Sequence, residues 1–193
     1  MATIAVVRSA LPRSIARIVG PGGYCSGALV APDRVLTCAH FLRGRATEEL
    51  EVLLDGSRLP VTSTTALAGT DIALLTLARP VPAPPLEVGA APKVGARTVT
   101  FGFGGHAPAP AARPGWYVAT LPIALSRGMR TIVRPAGLVV ATPPAVKGDS
   151  GGPVLVDGRV VGVQSLILDP FGVNLRLATV ALLPPGFRPA AQA

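Results

Sequence analysis

The sequence predicts an all-β protein made of two lobes, and three observations point to this class. Short apolar runs of strand length recur along the 193 residues, from TIAVV at 3–7 to VNLRLATV at 173–180. Gly, Pro or Asp interrupts them every ~8–12 residues, which is typical of strands joined by turns. A proline-rich stretch at 78–95 separates two groups of runs, because proline cannot donate to a strand ladder. We therefore expect an N-terminal lobe at 1–90 and a C-terminal lobe at 91–193.

Turn residues predict individual elements within each lobe. Asp55-Gly56 and Asp157-Gly158 each lie between two apolar halves, a strong signal for a two-residue hairpin. The segment SIARIV, followed by Pro21-Gly22-Gly23, predicts a strand, a turn and a second strand. Only TEELEVLL, at 47–54, could form a helix, because the β-branched content elsewhere favours strands.

The composition limits the classes of partner. Hydrophobic residues make up 49% of the chain and aromatic residues 4%, so Val, Leu, Ile and Ala must form the core. The net charge of +8 would suit an acidic partner such as nucleic acid. However, the arginines form no basic run and no aromatic residues interleave with them, so we expect no nucleic-acid site. No run approaches the ~20 apolar residues of a membrane span.

The first residues, MATIAVVRSALPRSIARIVG, lack the pattern of a secretory signal peptide. A cytoplasmic location is expected on this basis, unless a signal was removed from the chain.

The stretch VKGDSGGPVL, at 146–155, places Ser150 in a glycine-rich bend. A serine hydroxyl becomes a nucleophile only when a base lies within reach and a third group holds that base. Two histidines are available: His40 ends the apolar run RVLTCAH, and His106 lies in a Gly/Pro loop. Asp71 immediately precedes the apolar run IALLTL, where it could orient an imidazole or cap a turn.

Three motifs, LTCAH, DIALLTL and GDSGGPVL, occur in this order and resemble the histidine, aspartate and serine motifs of the trypsin/chymotrypsin-like serine proteases. Lesser matches, YCSGALVAP, VTFGFG, VVGVQS and FGVNLRL, extend the resemblance over roughly residues 14–182. The resemblance implies two six-stranded antiparallel β-barrels with the active site in the cleft between them.

The resemblance also implies the activity of a serine endopeptidase that works through an acyl-enzyme. In this interpretation Ser150 attacks, His40 transfers the proton and Asp71 orients His40, while the N–H groups of Gly148 and Ser150 form the oxyanion hole. The substrate would be a protein or peptide, and no cofactor is expected. The alternative is a catalytically idle binding or regulatory module with the same fold.

The resemblance also implies which residues form the specificity pocket. Pro144 takes the floor position, where a trypsin-like enzyme would carry an aspartate, so cleavage after Arg or Lys is not expected. Ile167 replaces a glycine, Gly172 leaves space on the opposite wall, and Ser165 ends the strand lining the cleft. The pocket would accept small or medium aliphatic side chains. Lys147, at its rim, could instead favour an acidic residue nearby.

The two cysteines, Cys25 and Cys38, leave two alternatives open. Their matching positions in the family form a disulfide, which would favour an oxidising compartment. Two free buried thiols are the other interpretation. No four-ligand set accompanies them, so no zinc or other metal site is expected.

Many family members are activated by a cut that frees an Ile-Val amine, which pairs with the aspartate preceding the serine, here Asp149. The segment ARIVG resembles such a site, with Arg17-Ile18 as the cleavage point. We expect no cut, because the seven residues from Ile18 to Cys25 span at most ~25 Å. Asp149 must then pair with an arginine or with backbone N–H groups.

Overall fold

The computed structural model describes residues 11–189, and the predicted strand at 3–7 lies outside them. Within these residues, hydrogen bonds close two separate antiparallel barrels of six strands each, as the resemblance predicted. The first barrel has the order β1-β2-β3-β6-β5-β4, with strands β1 (Ile15–Gly20), β2 (Gly23–Ala31), β3 (Arg34–Cys38), β4 (Glu51–Leu54), β5 (Ser57–Ala66) and β6 (Ile72–Leu77).

The second barrel has the order β11-β14-β13-β12-β7-β8. Its strands are β7 (Arg97–Gly102), β8 (Ala111–Leu121), β11 (Ala136–Ala141), β12 (Pro153–Val156), β13 (Arg159–Ile167) and β14 (Leu177–Leu182). A small two-stranded sheet, β9 (Ala124–Leu125) with β10 (Ile132–Val133), lies between β8 and β11 in the chain. The only α-helix among the described residues is α1 (Ala39–Leu42).

The tight turns follow the sequence signals. Asp55-Gly56 joins β4 to β5 and Asp157-Gly158 joins β12 to β13, with all four residues at positive φ. Two consecutive residues at positive φ match a turn to the right-handed twist of the strands, and Asp-Gly adopts them at low cost. The helix candidate at 47–54 was wrong. Only Thr47–Glu49 form a 3₁₀ turn, and the chain continues as β4, where its apolar residues close the barrel.

Strand β1 is integral to the first barrel. It pairs with β2 along its whole length, and Arg17–Val19 also pair with Glu51–Leu53 of β4. The proposed hairpin is therefore correct, with Pro21-Gly22 as its two-residue turn. Because β1 closes the barrel between β2 and β4, a cut after Arg17 would open it.

Each barrel has its own apolar core, and a third cluster joins the two. This interbarrel cluster combines buried first-barrel residues, among them Ile15 and Leu36, with second-barrel residues such as Phe103 and Val163. The proline-rich connection also contacts both barrels, since Leu86 N donates to Leu29 O and Gly89 N donates to Val160 O, each at 2.8 Å. Apolar burial and these hydrogen bonds thus hold the two barrels together.

Among the described helices, none has the length and apolar character needed to cross a membrane.

We predict that Ile15→Ala destabilises the protein by about 2–5 kcal/mol, because Ile15 is 2% exposed and its loss leaves a cavity in the interbarrel cluster. Chemical denaturation measures the free energy of unfolding. Val94→Ala serves as the control, since Val94 is 70% exposed and its truncation should change stability by less than about 0.5 kcal/mol. Equal effects of the two changes would contradict the buried position of β1.

Candidate active site

His40 and Asp71 meet because β3 and β6 are neighbours. These strands pair antiparallel with Cys38 opposite Ile72, so the residues just beyond them lie side by side. His40 follows β3 in the short helix α1, and Asp71 immediately precedes β6. The Asp71 carboxylate accepts the His40 backbone N–H at 2.8 Å and contacts His40 Nδ1 at 2.7 Å. The sequence predicted this pair.

A third donor fixes Asp71, which is 1% exposed. The Ser165 hydroxyl, at the end of β13 in the second barrel, donates to the same carboxylate oxygen that His40 Nδ1 contacts. The sequence placed Ser165 in the specificity pocket. It does line the cleft, but its hydroxyl binds Asp71 and so positions the acid rather than a substrate side chain.

Two opposing effects set the pKa of His40. Burial disfavours the imidazolium and by itself lowers the pKa, whereas the hydrogen bond to Asp71 and the contact with Cys38 raise it. The second effect is larger, so the pKa of His40 lies above its ordinary value of 6.5. Burial also raises the pKa of the Cys38 thiol well above its ordinary range, so this sulfur is neutral at pH 7.

The disulfide expected from the resemblance is not present: Cys25 and Cys38 are free, buried thiols. Each sulfur has a different polar neighbour, Cys25 Sγ at 3.4 Å from Thr37 Oγ1 and Cys38 Sγ at 3.7 Å from His40 Nε2. The two cysteines therefore do not indicate an oxidising compartment. Within residues 11–189, no three His, Cys, Asp or Glu side chains are grouped to hold a metal ion.

Ser150 lies in the loop between β11 and β12 and shares a cleft of about 280 Å³ with His40 and Ser165. Its hydroxyl donates to the Ser165 carbonyl at 3.2 Å. No hydrogen bond joins it to His40 Nε2 among the described contacts. The structure thus brings the predicted nucleophile and base into one cleft with the hydroxyl turned toward β13.

The N–H groups of Gly148 and Ser150, the predicted oxyanion donors, make no hydrogen bond to any described residue. Their neighbours do: Asp149 N donates to Val146 O at 3.1 Å and Gly151 N donates to Gln164 O at 2.7 Å. Gly148 has φ +99°, which L side chains rarely adopt, and a β-carbon there would come within 2.6 Å of the Tyr24 hydroxyl. Glycine is required at this position on both grounds.

One first-barrel residue that was not predicted from the sequence, Ser26, holds this loop. The Ser26 hydroxyl, fully buried, donates to Gly148 O at 2.6 Å and accepts from Phe103 N at 2.9 Å. Ser26 N also donates to Ser150 O at 2.8 Å. The only available signal was a serine directly after Cys25 in a buried strand.

Asp149 finds its partner in Arg113, a residue on the inward face of β8. Arg113 Nε lies 2.5 Å from Asp149 Oδ2, and the exposed fractions of the two side chains are 8% and 0%. The backbone N–H groups of Gly104 and Val146 donate to the same carboxylate at 2.8 and 2.9 Å. The sequence predicted an arginine or backbone N–H groups as the partner, and the structure has both. An arginine on the same strand face as the buried Tyr117 was the available signal.

Of the remaining residues predicted for the specificity pocket, two line the cleft and two do not. Lys147 and Ile167 line the cleft, together with Leu166 and the exposed Asp169. Pro144 and Gly172 are not among its described lining residues, and Gly172 lies exposed in the turn between β13 and β14. The other histidine, His106, is also outside this cleft lining. Its backbone N–H donates to the Tyr24 hydroxyl, and its exposed ring packs edge-on against Tyr24.

Comparisons with known proteins match the chain to one family. The family model described as a trypsin-like peptidase domain matches residues 25–163. A protein named trypsin from Saccharopolyspora erythraea is 28% identical over 178 residues, covering 77% of this chain and 78% of that protein.

Solved structures match the fold. The active form of the Rv3671c protease from M. tuberculosis has a TM-score of 0.75 and 24% identity, covering 91% of this chain and 78% of that one. The HtrA-type protease AlgW, solved with a tripeptide, has a TM-score of 0.74 and 16% identity over 92% of this chain and 59% of its own.

We predict that Arg113→Gln lowers the free energy of unfolding by about 3–5 kcal/mol, because it leaves the buried Asp149 carboxylate without its cation. The matched control is Arg97→Gln on the neighbouring strand, where the exposed guanidinium stacks on Trp116. The double change Arg113→Gln/Asp149→Asn should cost less than Arg113→Gln alone. Denaturation curves with equal midpoints for the two arginine variants would refute a structural role for the pair.

Proposed function

Because the chain belongs to the trypsin-like peptidase family, we propose that it is a serine endopeptidase that hydrolyses peptide bonds through an acyl-enzyme. One observation carries the proposal: the buried Asp71 carboxylate contacts both the backbone N–H and Nδ1 of His40. His40 shares its cleft with Ser150. An aspartate used only to cap a turn would not need to hold the imidazole as well.

The contact with Asp71 selects the histidine tautomer. Holding the proton on Nδ1 leaves Nε2 as the acceptor that a nucleophilic hydroxyl requires. Ser150 would rotate from the Ser165 carbonyl toward Nε2 when substrate binds, since catalytic hydrogen bonds often tighten only in the complex. Attack on the scissile carbonyl forms the acyl-enzyme while His40 passes the proton to the leaving amine. Water then attacks the acyl-enzyme carbonyl in the same way, and the product acid leaves as Ser150 regains its proton from His40.

The backbone of the Ser150 loop would stabilise the oxyanion. The N–H groups of Gly148 and Ser150, which make no hydrogen bond to a described residue, would be the donors. Removing one donor of this kind costs about 10²–10³ in turnover. The Asp149–Arg113 ion pair supports this loop from inside the second barrel. We infer that the enzyme therefore needs no freed amine and no cut at Arg17.

We propose a preference for small or medium aliphatic side chains before the scissile bond, and not for Arg or Lys. Leu166 and Ile167 contribute apolar surface to the cleft. The one acid in its lining, Asp169, is exposed at the rim, where water screens a charge, and Lys147 lines the same cleft. A substrate cation would therefore gain little there.

One observation favours a second function, that of a binding module without turnover. The Ser150 hydroxyl donates to Ser165 O and not to His40 Nε2, so the nucleophile is unactivated in this conformation. If substrate does not reorient it, the cleft can bind peptides without cleaving them.

A fluorophosphonate probe should label the wild-type protein, and Ser150→Ala should abolish both labelling and peptide hydrolysis while leaving the far-ultraviolet circular dichroism spectrum unchanged. Ser63→Ala, on the outer face of β5, is the matched control and should label like the wild type. A folded wild-type protein that does not label would favour the binding module.

The pH dependence of kcat/KM should report His40. Only the neutral imidazole accepts the Ser150 proton, and Asp71 raises the pKa of His40 above 6.5. Activity on an uncharged peptide should therefore rise with pH and reach half its maximum above pH 6.5. Asp71→Asn should lower kcat by about 10⁴, the magnitude found for the equivalent change in this enzyme family. A midpoint at or below pH 6.5 in the wild type would show that Asp71 does not hold the imidazole in solution.

A further inference from the structure

A second concavity, larger than the catalytic cleft, lies on the far side of Tyr24. Its volume is about 510 Å³, and we call it the arginine groove. The groove runs between β1, the turn from β4 to β5, and the loop Pro108–Pro110 that follows β7. It is lined by Arg13, Arg17, Arg58 and Asp55, with Phe103 and Pro108 among its apolar walls.

The lining carries three cations and one anion. Arg13 is paired with Asp55 at 2.6 Å, and Arg58 is paired with Glu51 at 2.6 Å, outside the lining. Arg17 has no ion pair within residues 11–189, and its Nε is buried without a hydrogen-bond partner. A buried donor without a partner is costly. The terminal nitrogens of Arg17, which lines the groove, also make no hydrogen bond to a described residue, so an acceptor that enters the groove would meet an unshared guanidinium.

The stacked side chains of Arg17 and Tyr24 connect the groove with the catalytic cleft. The guanidinium of Arg17 stacks over the Tyr24 ring, 3.9 Å from its centroid. Tyr24 also lines the catalytic cleft, where its hydroxyl lies against Gly148. Arg17 is therefore close to the Ser150 loop without contacting it.

The direction of a bound chain follows from the two walls of the cleft. The resemblance of VVGVQS to the cleft strand of the family implies that the acyl side of a substrate lies along Ser165–Ile167. The leaving-group side would then pass the first-barrel residues of the lining, among them Tyr24 and Cys25. The Tyr24 ring lies against Gly148 on one side and 3.9 Å from the Arg17 guanidinium carbon on the other, so the arginine groove would begin a few residues beyond the scissile bond.

We propose that the arginine groove binds a carboxylate on the leaving-group side of the substrate, so that the enzyme prefers peptides with an acidic group about three residues after the cleaved bond. The inference rests on the proposed peptidase function. A planar guanidinium matches the two oxygens of a carboxylate, and the apolar walls suit the neighbouring peptide side chains. Because the groove is open to water, the preference should be moderate, about three- to tenfold.

Two quenched fluorescent peptides test the preference. They share every residue except the third after the scissile bond, which is Asp in one and Asn in the other, and both continue to an amidated end. The wild type should cleave the Asp peptide with a kcat/KM about three to ten times higher, and 1 M NaCl should shrink this ratio because it screens exposed charges. A ratio of one at low salt would exclude an acidic side chain as the ligand, and together with equal rates for the chain-end pair described below it would overturn the proposal.

The variants locate the effect. Arg17→Gln should bring the Asp/Asn ratio close to one, and Arg58→Gln should reduce it. Any general effect of losing the Arg17–Tyr24 stack on Gly148 cancels in the ratio. Arg159→Gln is the matched control: Arg159 is exposed and paired with Glu87 at 3.1 Å, as Arg58 is with Glu51, but lies outside the groove. A wild-type ratio retained in Arg17→Gln would refute the assignment.

The carboxylate could come from a side chain or from a chain end. A second pair of peptides ends at an alanine in the third position, with a free carboxylate or an amide. Faster cleavage of the free acid alone would identify chain ends as the ligand, and a preference confined to the Asp pair would identify acidic side chains. Either result supports the groove, and equal rates within both pairs contradict it.

Binding separates this proposal from the proposed function. In Ser150→Ala, fluorescence anisotropy should give a Kd for the Asp peptide about three to ten times lower than for the Asn peptide. Unequal Kd values without turnover by the wild type would overturn the peptidase and retain the groove. Equal Kd values within both the Asp/Asn pair and the chain-end pair, with normal wild-type turnover, would overturn only the groove.

Discussion

The buried ion pair between Asp149 and Arg113 is the interaction on which the site depends. Asp149 lies between Gly148 and Ser150, so any displacement of its carboxylate moves both the proposed oxyanion donors and the proposed nucleophile. Arg113, on β8, and the Gly104 N–H, just beyond β7, reach it from the same hairpin of the second barrel. A β-carbon on Gly104 would come within 2.5 Å of the carboxylate oxygens. The loop is therefore built around a charge that the fold itself neutralises.

Asp71, like Asp149, is a buried carboxylate whose oxygens are held by several donors. Each buried carboxylate accepts from three groups: Asp149 from Arg113, Gly104 and Val146, and Asp71 from His40, by two of its atoms, and Ser165. Two of the bonds that hold the site cross between barrels, since Ser165 reaches Asp71 and Ser26 reaches Gly148 O. The cleft geometry thus depends on polar bonds between the barrels as well as on the apolar cluster beneath them.

The arginines of this basic chain have different roles according to burial. Arg113 is buried and has a full partner, because an unpaired charge there would be strongly destabilising. Arg13 and Arg58 form exposed ion pairs of little energetic weight. Arg17 is intermediate: its Nε is buried, its guanidinium stacks on Tyr24, and its hydrogen-bonding capacity is unfilled. This incomplete environment is what distinguishes a candidate ligand-binding arginine from a structural one.

By itself the sequence determined the all-β class, the Asp-Gly hairpins and the place of β1, and it predicted His40, Asp71 and Ser150 as the chemistry-bearing residues, because these depend on local turn chemistry and on short contiguous motifs. Only the tertiary structure decided which side chains complete the site. Arg113, Ser26 and the Ser165 hydroxyl act across distances of 36, 122 and 94 residues in the chain. The same holds for the free state of Cys25 and Cys38 and for the position of Gly172 outside the cleft lining. Barrel closure and register set which distant atoms meet, and no local pattern encodes that meeting.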